Sequence, residues 1–415
     1  MENLTMLTRR TFLGTAAFAA AAQSRPLRIA IIATIYRLQS HAQHMGDRFL
    51  VGYPYAGVWR KPNVKVVSLY VDQKPDGDLS GARAREFGFE VYPAVADALR
   101  CGGRDLAVDA VLIIAEHGNY PRNEKGQILY PRYEFFEECV KVFEAAGRSV
   151  PVYSDKHLSY SFEKAKAMVD ASRRLRFPMM AGSSLPVTWR LPAIELPLDC
   201  EIAEALMVGE GASDPMDFHA LEGLQCMVER RRGGERGVRA VQLLEGDAVW
   251  KAGDEGRYSK ELLAAALSRS DTPLGLTVTD GRTQDLLASG ELRKLAKSPE
   301  AYFIEYRDGL KATMLMLDGA IKDFNFAARL KGGQVWSTQF LLTPDPNVTY
   351  SACLMHKAEQ MFETGAPPYP VERTLLTSGM LESCLTSKIQ NHARLETPHL
   401  QVTYRAPGES QFARA

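Results

Sequence analysis

Several things are scarce or missing in this sequence. Net charge is the first: Lys plus Arg and Asp plus Glu number 50 each in 415 residues. No global basic field therefore points to nucleic acid or an anionic membrane surface as partner. The one dense basic run, Arg230-Arg231-Arg232 after Glu229, is expected as the solvated end of a helix, where cations suit the dipole. Paired cysteines are also missing. The six present (Cys101, Cys139, Cys200, Cys226, Cys353 and Cys384) form no CxxC pair and no zinc spacing, so reduced thiols in the core are expected. There is no internal repeat, and beyond the first residues no long low-complexity tract. The chain is long enough for a sizeable core and two domains.

What is present begins with LTRRTFLGTAAFAAAAQS, in which Arg9 and Arg10 precede a short Ala-rich apolar region and a small-residue cleavage pattern. This resembles a twin-arginine export signal over residues 1–24. The apolar run is too short for a comfortable membrane span. It implies a periplasmic or otherwise exported mature chain with no membrane span, carried by the twin-arginine export machinery.

The mature chain opens with RIAIIATI at 28–35, an Ile-rich run suited to a strand buried on both faces, followed by VKVVSLYV at 64–71 and VDAVLIIAE at 108–116. Helical patterns alternate with them: AVADALR at 94–100, YEFFEECVKVFEAAG at 133–147, and SFEKAKAMVDASRRLR at 161–176 after the strand SVPVYSD. Ser161 stands where an N-cap belongs. PMMAGSS at 178–184 ends the series. Strand alternating with helix predicts a Rossmann-like, doubly wound parallel sheet over 27–190. From 191 to 405 the pattern changes. A helix is expected from Asp214, which can cap, with Pro215 in its first turn. VRAVQLLEG, EAYFIEYRDG, LKATMLMLDG, IKDFNFAARL and VWSTQFLLT then read as successive strands of an open antiparallel sheet, and VERTLLTSGMLESCLTSKIQ as a closing helix. The fold class is thus α/β plus α+β.

Ligands of parallel sheets sit beyond the carboxyl ends of the strands. At those ends stand Asp155-Lys156-His157, Glu116-His117, and SHAQHMGD with His41, His44 and Asp47. Imidazoles gathered at one edge suit a divalent metal, which makes His41, His44, His117 and His157 candidate ligands. The alternative is that each bonds a loop or a substrate hydroxyl. Lys156 is either a strand-end surface lysine or a donor and base toward a substrate oxygen. His219 and Glu222, three apart on one helix, form either an oriented imidazole or a surface pair. The polar, aromatic stretch 119–134 is either a lid or a long connection.

A parallel domain followed by an open-sheet domain, with a lysine after a late strand, resembles the Gfo/Idh/MocA oxidoreductases over most of residues 27–405. AGRSVPVYSDKHLSYSFEKAKAMVD has the layout of that family's Glu-Lys-Pro region, and DPMDFHALEG places Asp217, His219 and Glu222 near its helix-borne Asp and His. The resemblance implies an NAD- or NADP-dependent dehydrogenase of a carbohydrate or polyol, acting as a homo-oligomer. Lys156 would be the catalytic lysine, with His219, Asp155 and His157 beside it, and Thr34, Ile35, Asp72, Glu116 and His117 would stand at the cofactor. The dinucleotide fingerprint itself is absent. Where Gly-x-Gly-x-x-Gly is needed for close pyrophosphate approach, the chain has Ala33-Thr34-Ile35-Tyr36-Arg37-Leu38. Two other readings stay open: a metal-dependent hydrolase, lyase or isomerase on the same fold, and a non-enzymatic periplasmic binding protein.

Overall fold

The structure is a computed structural model that describes residues 25–211, 214–273, 282 and 285–414. The twin-arginine pattern lies outside the described residues.

Six parallel strands, β1 (Leu27–Ala33), β4 (Val64–Val71), β5 (Glu90–Tyr92), β6 (Ala110–Ile114), β7 (Val152–Asp155) and β8 (Met179–Gly182), form a sheet in the order β5-β4-β1-β6-β7-β8. This is the doubly wound arrangement, with its topological switch point between β1 and β6. The intervening β2 (Tyr53–Tyr55) and β3 (Val58–Arg60) form a separate hairpin. Ile29 to Ala33 and all of β6 are buried, as the unbroken apolar runs require.

One face of this sheet is covered by α3 (Val95–Arg100), α4 (Arg132–Ala146) and α5 (Phe162–Leu175). The other carries α1 (His41–Val51), begun by Ser40, whose side chain accepts from the Gln43 N–H. The rest of that face is covered from far along the chain. Leu354, Met355, Ala358 and Met361 of the helix Tyr350–Thr364 pack into one core with Ile29, Ile31 and Phe49. The amphipathic stretch at 350–364 went unread in the sequence, and it interleaves the two halves of the chain. Ala413 returns too, its N–H bonding the Val187 carbonyl.

The second sheet has eight strands, β9 (Arg190–Leu191), β10 (Ile202–Gly209), β11 (Val238–Glu245), β12 (Glu300–Tyr306), β13 (Lys311–Met316), β14 (Phe324–Leu330), β15 (Val335–Phe340) and β16 (Leu395–Glu396), in the order β16-β11-β12-β13-β10-β14-β15-β9. It is mixed, because β10 pairs with β13 in parallel while β10–β14, β12–β13 and β14–β15 pair antiparallel. The helix α6 (Asp214–Val228) and the helix Glu372–Ile389 pack on it and on each other.

Two local expectations are corrected. Ser161 precedes α5 but makes no side-chain cap; the Phe162 N–H instead donates to Glu382 at 2.6 Å, so a carboxylate from the far helix meets the dipole. The arginine run is not solvated either, apart from Arg232. Glu229, Arg230 and Arg231 are buried, and each charge has a partner: Arg373 with Glu229 at 2.8 Å, Arg231 with Glu235 at 2.9 Å, and Arg230 with Glu195 at 3.1 Å. A buried charge without a partner costs several kcal/mol, so the ion pairs permit this burial. All six cysteines are free thiols. Among the described residues no helix is long and apolar enough to cross a membrane.

Candidate active site between the domains

The carboxyl ends of β7 and β8 face the start of α6 and enclose a cavity of about 250 Å³. His41, Asp155, Lys156, Ser184, Glu210 and His219 supply its polar lining, over an apolar floor that includes Met45 and Leu354.

Lys156 reaches this cavity through its backbone. Its φ is 65°, in the left-handed region that costs a non-glycine residue about 1–2 kcal/mol. His117, at the end of β6, has φ 68°. Strained residues persist where the surrounding packing over-determines them, and they cluster at functional sites.

Across the cavity, Lys156 Nζ meets Nε2 of His219, and the other ring nitrogen of His219 meets the Ser183 hydroxyl. Ser183 Oγ is itself fixed by the Leu185 N–H at 3.0 Å. An ammonium at Lys156 donates to Nε2, which leaves the ring proton on Nδ1 for Ser183. Burial pushes the lysine below its ordinary value, opposed by Glu116 and Asp155. Burial, reinforced by Lys156, also holds the His219 imidazole well below the usual range, so it is neutral.

The second pair is His41 and Asp155, with Nδ1 and Oδ2 2.6 Å apart. Burial works against the Asp155 carboxylate, but His41, Lys156 and Arg132 outweigh it, and the acid is held below its ordinary value. Asp155 accepts the Nδ1 proton of His41, which orients the ring and leaves Nε2 as the nitrogen outside that bond. The neighbouring Ser184 hydroxyl is buried without a hydrogen-bond partner, and a ligand hydroxyl in the cavity would satisfy it.

The structure thus brings Lys156, Asp155 and His219 together with His41, and separates them from other candidates. His157 does not line the cavity. It is buried against Phe218, with Nε2 3.2 Å from the Arg132 guanidinium, and Arg132 in turn pairs with buried Glu116. Glu222 does not orient His219. It accepts from Thr377 at 2.6 Å and from the Ser183 N–H at 3.4 Å. Asp217 turns to the Tyr302 hydroxyl at 2.8 Å. Asp214, expected as a cap, accepts from Gln127 at 3.3 Å. Ser183, Ser184 and Glu210 went unread, although each follows a strand's carboxyl end, which is the one signal they carry.

The histidines do not form a metal centre. Among the described residues no group of three His, Cys, Asp or Glu side chains can hold a metal ion. His41 lies 5.0 Å from His117 and 6.5 Å from His44 between ring centroids, and His157 is turned to a cation. Burial pushes both His44 and His117 down to about 4.

Of the residues expected at a dinucleotide, His117 keeps a buried Nε2 without a hydrogen-bond partner, and the other four are placed otherwise. Thr34 donates to the Glu116 carbonyl at 2.7 Å, and Ile35 is buried. Asp72 accepts from the Tyr70 and Tyr120 hydroxyls at 2.8 and 2.6 Å. Glu116 holds Arg132. These four positions do not fit a dinucleotide.

Glu222 yields a test of its environment. Burial raises its carboxyl from 4.5 to about 7, against the opposing pull of Arg373. A raised carboxyl binds more protons folded than unfolded, so stability falls as pH rises from about 4.5 to about 7 and levels off above. The shift is worth about 3 kcal/mol. In Glu222→Gln this contribution is expected to vanish. Urea-unfolding midpoints taken across that pH window should fall with rising pH in the wild type relative to Glu222→Gln; parallel curves would refute the assignment.

No protein-family model matches the chain, and no curated protein sequence matches it. Solved structures do. The chain is similar to GenD2 from gentamicin A biosynthesis in complex with NAD, at 11% identity and TM-score 0.57, covering 94% of this chain and 99% of that one. It is also similar to the myo-inositol dehydrogenase from Lactobacillus casei in complex with NAD(H) and myo-inositol, at 11% identity and TM-score 0.54, covering 89% and 96%. The scyllo-inositol dehydrogenase from Lactobacillus casei with bound NAD(H) and scyllo-inositol matches at 9% identity and TM-score 0.53, over 89% and 98%. At such identities the likeness concerns the fold, and the fold of this chain is that of the Gfo/Idh-type dehydrogenases.

Proposed function

We propose that the protein is an acid–base enzyme acting on a small polyhydroxylated carbonyl compound, a carbohydrate or an oxidised polyol. One observation carries this reading: two imidazoles, His41 oriented by Asp155 and His219 held by Lys156 and Ser183, line a single cavity. Its volume of about 250 Å³ is below the range typical of drug-sized ligands and suits a monosaccharide-sized molecule. The unpartnered Ser184 hydroxyl and the Glu210 carboxyl favour a ligand rich in hydroxyls. The inositol ligands of two similar structures support the same substrate class.

The chemistry is redox-neutral. His41 Nε2 takes a proton from the carbon beside the carbonyl. The C–H electron pair becomes the C=C bond of an enediolate, and the carbonyl oxygen takes up the charge beside the Lys156 ammonium. His219 accepts from the Lys156 ammonium and so positions the lysine, which passes a proton to one substrate oxygen and takes one back from its neighbour. Return of the proton to carbon gives an isomer or epimer. The dehydrogenase reading rests on the fold alone, since the residues at the dinucleotide crevice do not fit that cofactor.

The test is deuterium exchange. A panel of aldoses, ketoses and inosose-type ketones is incubated with the protein in D₂O and followed by proton NMR. Loss of one carbon-bound proton signal is expected, and it should disappear in Lys156→Met. Nicotinamide reduction with a polyol from the same panel, without exchange, would replace this reading with the dehydrogenase one. For the place of action we propose the exported compartment, on the strength of Arg9-Arg10 and the Ala-rich stretch after them. A reporter fused after residue 30 should lose export when both arginines become lysine.

A further inference from the structure

In a doubly wound sheet the dinucleotide lies in the crevice at the switch point, where the connections after the first and fourth strands diverge. Here those strands are β1 and β6, and the crevice is stitched shut by the chain. The Thr34 hydroxyl crosses it to the Glu116 carbonyl, and on the other side the Gln73 N–H donates to the Thr34 carbonyl at 2.8 Å. Tyr36 is fully buried, with its hydroxyl on Asp47 of α1 at 2.6 Å. That hydroxyl lies within 3.2 Å of where a Cβ on Gly46 would stand, so the tyrosine fills the space between the first loop and α1.

The stretch after β6 completes the closure. Gly118 has φ 106°, and a Cβ there would meet the Tyr120 ring at 2.7 Å, Gln73 Oε1 at 3.2 Å and the Ile35 side chain at 3.4 Å. Asn119 and Gln73 are joined twice, at 2.9 and 3.1 Å. Tyr120 places its hydroxyl on Asp72, the acidic strand-end position that binds a ribose hydroxyl in dinucleotide sites.

The same stretch then runs to the second domain. Lys125 pairs with Glu382 at 3.0 Å, and Gln127 bonds Asp214 at the start of the helix that carries His219. Arg132 anchors its far end on Glu116 and His157.

We infer that residues 117–131 take the place of a dinucleotide cofactor in this protein: they fill the crevice, supply the hydroxyl that Asp72 accepts, and tie the His219 helix to the first domain. The chain therefore binds neither NAD(H) nor NADP(H) at this crevice, and its cavity between the domains is assembled without a nucleotide. This stands independently of the acid–base reading.

Equilibrium dialysis and fluorescence titration of the full-length protein with NADH and NADPH, each up to millimolar concentration, test the exclusion. No retention is expected, and stoichiometric retention would overturn the inference. Tyr120→Phe, which removes only the hydroxyl on Asp72, tests the strap. Its thermal midpoint should fall by a few degrees with no gain in nucleotide binding, while Gly118→Ala, strained at its φ and crowded by Tyr120, should fall further. Unchanged midpoints in both would refute a structural role for the segment. The two proposals fail separately. Retained NADH together with intact deuterium exchange would sink only the replaced cofactor; no retention and no exchange would sink only the acid–base chemistry.

Discussion

His219→Ala is expected to lower kcat in the exchange reaction by about 10²–10⁴-fold, the range for losing one positioned acid–base group. That corresponds to about 3–5 kcal/mol of transition-state stabilisation. The reason is geometric. Nε2 of His219 brings α6 to the Lys156 ammonium, and its removal takes away the ring nitrogen that accepts from the lysine. A purely structural histidine would lower stability and leave the chemistry alone. The distinguishing readout is therefore rescue: free imidazole, entering the space that the deletion adds to the cavity, should restore part of the rate. A variant that exchanges at close to the wild-type rate, or that fails to respond to imidazole while remaining folded, would remove His219 from the mechanism.

Arg132→Leu is expected to destabilise the protein by about 3–5 kcal/mol, the cost of removing one partner from a buried ion pair. Arg132 is fully buried, and it meets both the Glu116 carboxylate and His157 Nε2. Its loss leaves the buried Glu116 carboxyl without its guanidinium partner and releases one end of the 117–131 segment. Arg173, paired with Glu372 at 2.6 Å on the surface, is the internal control. Its replacement should cost no more than about 1 kcal/mol, because solvent screens exposed pairs. Urea midpoints of the two variants decide the matter, and equal losses would contradict the burial argument.

The buried titratable groups account for much of what was hard to see in advance. Glu222 and His219 are three apart on one helix, a spacing that predicts contact, yet the carboxylate turns to Thr377 on another helix. His157 adjoins Lys156 in sequence but faces the opposite way, because Lys156 takes a left-handed backbone and its neighbour falls against Phe218 and Arg132. Arg230 and Arg231 are charged, yet buried, because carboxylates from distant segments meet them.

Local patterns in the sequence determined the alternation of buried strands with helices from residue 27 to 182, and hence the parallel sheet. They also placed Asp155, Lys156, Glu116, His117 and His41 near strand carboxyl ends. Apolar runs and helical periodicity are short-range properties, and a doubly wound sheet has few alternative topologies once they are set. Tertiary structure alone decided which of those groups meet. His41 met Asp155, Lys156 found His219 on the helix that faces it across the cavity, the helix Tyr350–Thr364 crossed back to cover the first sheet, and residues 117–131 closed the nucleotide crevice. Each of these depends on contacts between residues far apart in the chain. The energy of a buried polar group is set by whichever partner the packing delivers, and residue spacing along one element carries no record of that partner.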